Sequence, residues 1–446
     1  ARGRCPHPLV RLAAGVLLAA ALTWVLPAGQ YARQHDPLTG RDVVVAGTYH
    51  PVAASPVGFF GAVVAIPQGM IAAADVIFFV FLVGGAFAVV ERTGALARGA
   101  DALMRGLSGR EALVIPIISI AFAAGGALEN MQEEIIALVP ALLFLTRRLG
   151  YDELVAAAVS IGAAAVGAAF SPINPFQVGI AQKLAHLPLL SGAGFRLIFL
   201  AIALVIWIWG TWRYASRTRV PPPAAEQTEV AALGARTPII LLLVVAAFAT
   251  FVYGVFSLGW DFTQMAAVFF IMGALAGLIG GLGVSGTAES LVEGFRSMAF
   301  AGLLIGFARS ITVVMEQGRV VDTVVNGLFT PLAHVPALLS AGGMMATHVL
   351  IHIPVPSVSG QAVLTMPVLI PLADLLGITR QVTVLAYQYG AGLCELVTPT
   401  NGALMAILAA AGVRYERWMR AILPMWLALL ALGAAAVAVG IASRLG

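Results

Sequence analysis

The chain has 446 residues, 60% of them hydrophobic and only 10% charged, with a formal net charge of +4 and a mean hydropathy of +0.96. A soluble globular domain carries about 45–50% apolar and about 25% charged residues, so this composition excludes one and describes a polytopic membrane protein embedded in the lipid bilayer. The pI near 9.3 then reports basic loops against anionic lipid, with no nucleic-acid partner, and the length accommodates roughly ten spans at about 20 residues each, leaving no separate soluble domain.

Arg2, Arg4 and Arg11 precede an apolar run over 12–26. With no clean small-residue cleavage site after it and many spans to follow, it reads as a first membrane helix and not as a removed signal. Residues 27–56 read as a polar, solvated loop, 59–71 as a helix lying at the interface and 76–90 as a span. Residues 112–127 and 135–146 flank Glu129-Asn130-Met131-Gln132-Glu133-Glu134. The second of these arms, about 12 residues, falls well short of a hydrocarbon core about 30 Å thick, which predicts a re-entrant hairpin tipped by the polar residues.

Residues 154–170 are strongly apolar and lead into Ser171-Pro172-Ile173-Asn174-Pro175-Phe176. Proline cannot donate the helical hydrogen bond and disfavours the α conformation of the residue before it, so the backbone opens here. Open backbone among membrane helices is tolerated where it is buried in protein or lines a polar cavity. Further along, 197–212, 238–253, 265–282, 299–315 and 421–442 read as spans, 213–236 with its three consecutive prolines as a linker, and 285–296 as a short surface helix. Residues 338–352 and 363–372 form a second predicted hairpin, tipped by Pro354-Val355-Pro356-Ser357-Val358-Ser359-Gly360-Gln361, and 382–411 is a second broken segment.

The two broken segments correspond. Adding 227 to 174 gives 401, and Ser171-Pro172-Ile173-Asn174 falls on Thr398-Pro399-Thr400-Asn401, Leu149-Gly150 on Leu376-Gly377 and Pro140 on Pro367. Interrupted helices at matching places in two halves mark the substrate site of a repeat-built secondary transporter. The expected organisation is therefore a first half over 1–212, a cytoplasmic linker over 213–236 and a second half over 237–446. Arginine concentrates in the loops that share a side with the N-terminus, which places that terminus in the cytoplasm of a bacterial inner-membrane protein. An odd number of crossings between the halves makes the repeats inverted.

Opened backbone offers carbonyls to cations and half-helix N-termini to anions. The expected substrate contacts are Asn130, Gln132, Asn174, Ser357, Ser359, Gln361, Thr398, Thr400 and Asn401. Glu129, Glu133, Glu134 and Glu395 are the expected sites for a coupling ion or proton, since a buried ionisable group is costly unless paired, protonated or wet. Arg309 is expected to ion-pair, with Glu395 or with a carboxylate of the first tip. His348 and His352, one helical turn apart without a third ligand, and the two remote cysteines, Cys5 and Cys394, indicate neither a metal site nor a disulfide. Neither Ser171 nor Ser359 has a partnered base, which argues against an enzyme.

Several stretches resemble the YfcC family, in the group that contains the C4-dicarboxylate anaerobic carriers within the wider ion transporter superfamily. They are 22–29 (LTWVLPAG), 81–87 (FLVGGAF), Asn174-Pro175-Phe176 with Gly179-Ile180-Ala181-Gln182, Ser359-Gly360-Gln361-Ala362 and Thr398-Pro399-Thr400. The resemblance implies an all-α, elevator-type transporter with two inverted repeats, each with a re-entrant hairpin and a broken helix. It also implies a homodimer, a small-molecule substrate and no cofactor, with Na+ or H+ as coupling ion. Superfamily members often hold sodium at Ser-Asn-Thr tips, where this chain has Glu129-Asn130-Met131 and Ser357-Val358-Ser359, so proton coupling or exchange stands beside sodium. With more carboxylate than guanidinium at the tips, an amino acid, basic ones included, is the favoured substrate, and a C4-dicarboxylate or other carboxylate the alternative.

Overall fold

The structure is a computed structural model that describes residues 8–37, 41–96, 98–99, 113–132, 135–220, 236–258, 260 and 262–446. It is predominantly helical. Six of the described helices are long and apolar enough to cross a membrane: Ala74–Arg92, Ala193–Thr218, Phe262–Gly280, Gly283–Gln317, Val358–Leu375 and Tyr415–Ala442. Shorter apolar helices, among them Phe59–Ala72, Glu153–Ala169 and Ala337–Ile351, fill the spaces between them.

Three elements differ from the sequence reading. The loop after the first helix folds into two antiparallel ribbons, pairing Gly29–Gln30 with His50–Pro51 and Arg33–Asp36 with Arg41–Val44. Its alternation is too short to read as strand, and tertiary bonds hold it: Tyr31 N and Arg33 Nη2 both donate to Asp322, each at 2.9 Å. The expected surface helix over 285–296 is the first part of one 35-residue helix, Gly283–Gln317, with no break before the span. Finally, the second arm of hairpin two, expected over 363–372, runs from Val358 to Leu375, because Ser357 caps it by accepting from Gly360 N at 3.1 Å. At 18 residues it is long enough to cross.

Close helix packing rests on glycine. A Cβ at Gly167 would lie 2.0 Å from Ala123 O, and one at Gly126 2.0 Å from Ala164 O, so helices Val114–Glu129 and Glu153–Ala169 cross backbone to backbone. A Cβ at Gly294 would likewise meet Gly84 O at 2.5 Å, which seats the long helix on Ala74–Arg92. Such contacts are how apolar helices associate where lipid removes the hydrophobic drive.

The two broken segments match in local detail at the same offset of 227. Gly150 and Gly377 both take positive φ, +78° and +68°. Tyr151 N donates to Thr146 O and Ile378 N to Ala373 O, both at 2.9 Å. Asp152 and Thr379 then cap the next helices, Glu153 onward and Arg380–Cys394, by accepting from Val155 N and Val382 N. Asn174 and Asn401 cap the second half-helices, accepting from Gln177 N at 2.8 Å and Leu404 N at 3.0 Å. Side-chain capping of this kind satisfies N–H groups that a helix start leaves open.

The largest core packs the broken segments against Ala193–Thr218, Ala337–Ile351 and Tyr415–Ala442, around Trp207, Tyr389 and Trp418. A second core, around Phe79, Phe87, Phe251 and Phe269, joins Ala74–Arg92, Arg236–Leu258 and Phe262–Gly280. A third lies between the first helix, Phe59–Ala72 and the long helix. A polar cavity lies between the broken segments and helices Ala74–Arg92, Phe262–Gly280 and Gly283–Gln317.

Candidate substrate site

The opened backbone of the breaks is hydrogen-bonded from within. At the first break Ser171 Oγ donates to Ala127 O at 2.7 Å and accepts from Asn174 N at 2.8 Å, while Gln388 Nε2 donates to Ser171 O at 2.8 Å. At the second break the last helix supplies the donors: Trp426 Nε1 to Leu393 O, Trp418 Nε1 to Leu396 O, and Tyr415 to Val397 O. Thr400 Oγ1 donates to Ile353 O at 2.9 Å. The carbonyls of Ser171, Leu393, Leu396 and Val397, which sequence alone leaves free for a cation, are thus already partnered.

Between the breaks lies a cavity of about 560 Å³. It brings together Asn130 and Gln132 of the first tip, Ser357 and Ser359 of the second, and Glu395, Thr400 and Asn401 of the second break. Asp75, Arg309, Phe176 and Phe262 complete its polar and aromatic lining. Asn130 holds the left-handed conformation, φ 58°, and its Oδ1 accepts from Gln177 Nε2 at 2.6 Å, which ties the first tip to the first break. Asn401 Nδ2 donates to Gln132 Oε1 at 3.1 Å and to Glu395 Oε2 at 3.3 Å, which ties the first tip to the second break.

Other expected site residues stand behind this wall. Asn174 is fully buried, with Oδ1 capping and Nδ2 donating to Gly126 O at 2.8 Å. Gln361 is fully buried between His348 and His352. Thr398 is buried within the turn, where its carbonyl accepts from Asn401 N at 3.0 Å. Glu133 and Glu134 lie outside the described residues, as does the side chain of Glu129.

Arg309 does not pair with Glu395. It is exposed to the cavity from the long helix, without an ion-pair partner among the described residues, and also lines a second cavity of about 450 Å³ under the ribbons, beside Arg33, Asp322, Arg319 and Ser357. Glu395, 4% exposed, instead stands 3.8 Å from His352 Nε2. Sequence reasoning missed Asp75, in the first turn of Ala74–Arg92. An acidic residue at a helix start reads as a dipole partner, and nothing in the spacing says which way it faces. Tyr387 and Tyr389 pack and do not line the cavity: Tyr387 donates to Val358 O at 2.8 Å and Tyr389 lies 4.7 Å from the Phe170 ring.

A polar cavity enclosed by apolar helices and walled by the ends of two interrupted ones is the architecture of a secondary membrane carrier. The chain belongs to the C4-dicarboxylate anaerobic carrier family, DcuC, whose profile matches residues 6–442. It is 36% identical over 372 residues, 78% of this chain and 74% of the relative, to Escherichia coli (strain K12) YfcC, a protein provisionally named a basic amino acid antiporter. It is 29% identical over 485 residues, 96% of this chain and 95% of the relative, to an uncharacterised protein of Haemophilus influenzae. Among solved structures it is similar to the YdaH transporter of Alcanivorax borkumensis, covering 98% of each chain at 18% identity, with a TM-score of 0.45.

Proposed function

We propose that this carrier exchanges amino acids, basic ones included, across the bacterial inner membrane, moving the cavity between the two sides by an elevator-like displacement of the broken-helix group. The observation that carries the substrate class is the charge inventory of the cavity: Arg309 on one element, Asp75 and Glu395 on others. A guanidinium holds a carboxylate by paired hydrogen bonds, and two carboxylates hold an amine. An amino acid has both groups, whereas a dicarboxylate would meet one cation and two like charges. The provisional name of the E. coli relative points the same way.

Two inverted repeats are the organisation that the matched turns and caps support, with a cytoplasmic N-terminus and re-entrant hairpins at both tips. A moving part built on the broken segments and a stationary part built on Ala74–Arg92, Phe262–Gly280 and the long helix complete this reading, the latter pairing with a second copy as a homodimer. The second reading is a C4-dicarboxylate carrier, favoured by the description of the family. Counterflow in proteoliposomes distinguishes them: vesicles loaded with arginine, ornithine, leucine or succinate are diluted into trace labelled solute. The amino-acid reading predicts accumulation driven by arginine or ornithine and none by succinate, and succinate-driven accumulation alone would replace it with the dicarboxylate reading.

A further inference from the structure

Hairpin two carries a buried polar chain that the cavity lining does not explain. His348 and His352 are both fully buried, and Gln361, also fully buried, sits between them. Gln361 Oε1 lies 3.0 Å from His348 Nδ1, Gln361 Nε2 2.7 Å from His352 Nδ1, and Gln361 Nε2 also donates to Val355 O at 3.1 Å. The Val355 carbonyl fixes the amide, since the flipped amide would set oxygen against oxygen. Gln361 Nε2 therefore donates to His352 Nδ1, which accepts only when unprotonated, and the ring proton of His352 is on Nε2. By the same logic His348 is protonated on Nδ1. Neither Nε2 has a hydrogen-bond partner among the described residues.

His352 Nε2–H faces Glu395 Oε1 at 3.8 Å, and Asn401 Nδ2 donates to Oε2. The Glu395 carboxylate thus accepts from Asn401 on one oxygen, has the His352 N–H facing the other at 3.8 Å, beyond hydrogen-bond reach, and has an edge on the cavity. His352 cannot take a second proton without breaking its bond from Gln361, so a proton arriving at this pair goes to Glu395. Cys394 precedes Glu395 in sequence and Tyr387 stacks edge-on against His348, its hydroxyl engaged by Val358 O. Arg309 and Asp75 share the cavity with Glu395.

We infer that Glu395 is a proton-exchange site at which a proton and the substrate's amine exclude one another, with His352, locked by Gln361 and His348, as the positioning residue that holds the carboxylate ready. This rests on the amino-acid reading. On one side of the membrane Glu395 takes a proton from water as an O–H bond forms and the amine leaves. On the other side that bond breaks, the proton passes to water, and a cationic amine pairs with the carboxylate. The cycle is proton/amine antiport.

The test uses the full-length protein in proteoliposomes with a pH-sensitive dye inside. Vesicles loaded with arginine and diluted into arginine-free buffer should acidify internally as arginine leaves, and Glu395→Gln should abolish that acidification. His352→Leu removes the N–H that faces Glu395 Oε1, so Glu395 should hold its proton to higher pH. Its arginine counterflow should persist, with the half-maximal pH raised by about one unit, a tenfold change in proton concentration. His348→Leu, which removes the Nδ1–H that Gln361 accepts, should move the profile the same way by less, and serves alone if His352→Leu does not yield folded protein. Arginine counterflow without any acidification in wild type would overturn the inference and leave the transport reading standing. Unmoved pH profiles in both histidine variants would overturn the positioning role. Absence of counterflow by every amino acid would instead remove the reading on which the inference rests.

Discussion

Asn174 and Asn401 stand 227 positions apart and each accepts the backbone N–H three residues on, yet only Asn401 reaches the cavity. The difference lies in the other end of each amide. Asn174 Nδ2 is spent on Gly126 O, inside the crossing of two first-half helices, whereas Asn401 Nδ2 spans from the first tip to Glu395.

Asn174→Ala is therefore expected to act on stability. Losing a cap costs about 1 kcal/mol, and losing the second of the two donors to Gly126 O, which keeps Asn130 N, about 0.5–1.5 kcal/mol more. Thermal unfolding in detergent should shift downward, and the half-saturation of whatever exchange survives should stay near wild type. Asn401→Ala loses a comparable cap but also unties Gln132 from Glu395, so its half-saturation should rise about tenfold, equivalent to about 1.4 kcal/mol. Equal kinetic effects in the two variants would remove the distinction.

Arg309→Gln should weaken the substrate's carboxylate contact, raising half-saturation by about tenfold or more, since a charge-assisted hydrogen bond is worth about 1.5–3 kcal/mol. Arg309→Lys keeps the charge but not the paired donors and should fall between. Binding measured by thermal shift with arginine present checks both variants, and wild-type stabilisation of Arg309→Gln would place the carboxylate elsewhere.

At the ribbons, Asp322 is buried and accepts from Tyr31 N and Arg33 Nη2. Asp322→Ala leaves a buried N–H unpaired and should cost about 1–3 kcal/mol, read as a lower unfolding temperature and faster proteolysis of residues 29–51. The Tyr31 hydroxyl, pushed up to about 12 by burial and then by Asp322, donates to Asn326 Oδ1 at 3.1 Å. It stays protonated through neutral pH, so its bond to Asn326 should persist between pH 6 and 9.

Gly167→Leu should prevent proper assembly, because even a Cβ would overlap Ala123 O at 2.0 Å and backbone cannot yield. Aggregation on size-exclusion chromatography is the expected outcome, and a monodisperse, active variant would contradict the crossing.

Proline and spacing made the two breaks readable, since Pro172, Pro175 and Pro399 act through covalent geometry that tertiary context cannot alter. Tip residues read well for the same reason: a polar run between apolar arms has few places to go, and Asn130, Gln132, Ser357 and Ser359 all line the cavity. What sequence could not show is which partner a buried amide or carboxylate would find. Asn174 and Asn401 occupy equivalent positions and differ through residues 48 and 269 positions away. Asp75 was hidden because its role depends on the facing of a helix, and Arg309 because pairing and cavity exposure look alike in one dimension. The ribbons escaped because Asp322, some 290 residues on, holds them.

The central claim, that the cavity between the breaks is where substrate binds, is tested most directly by protection of a single cysteine at Ser357. Ser357 is exposed and lines both cavities. With Cys5→Ser and Cys394→Ala as background, Ser357→Cys should react with a membrane-impermeant maleimide, and an amino acid that drives counterflow should slow the reaction several-fold, while an exposed Ser443→Cys keeps its rate. An amino acid that drives counterflow yet leaves the Ser357→Cys rate unchanged at saturation would contradict the account.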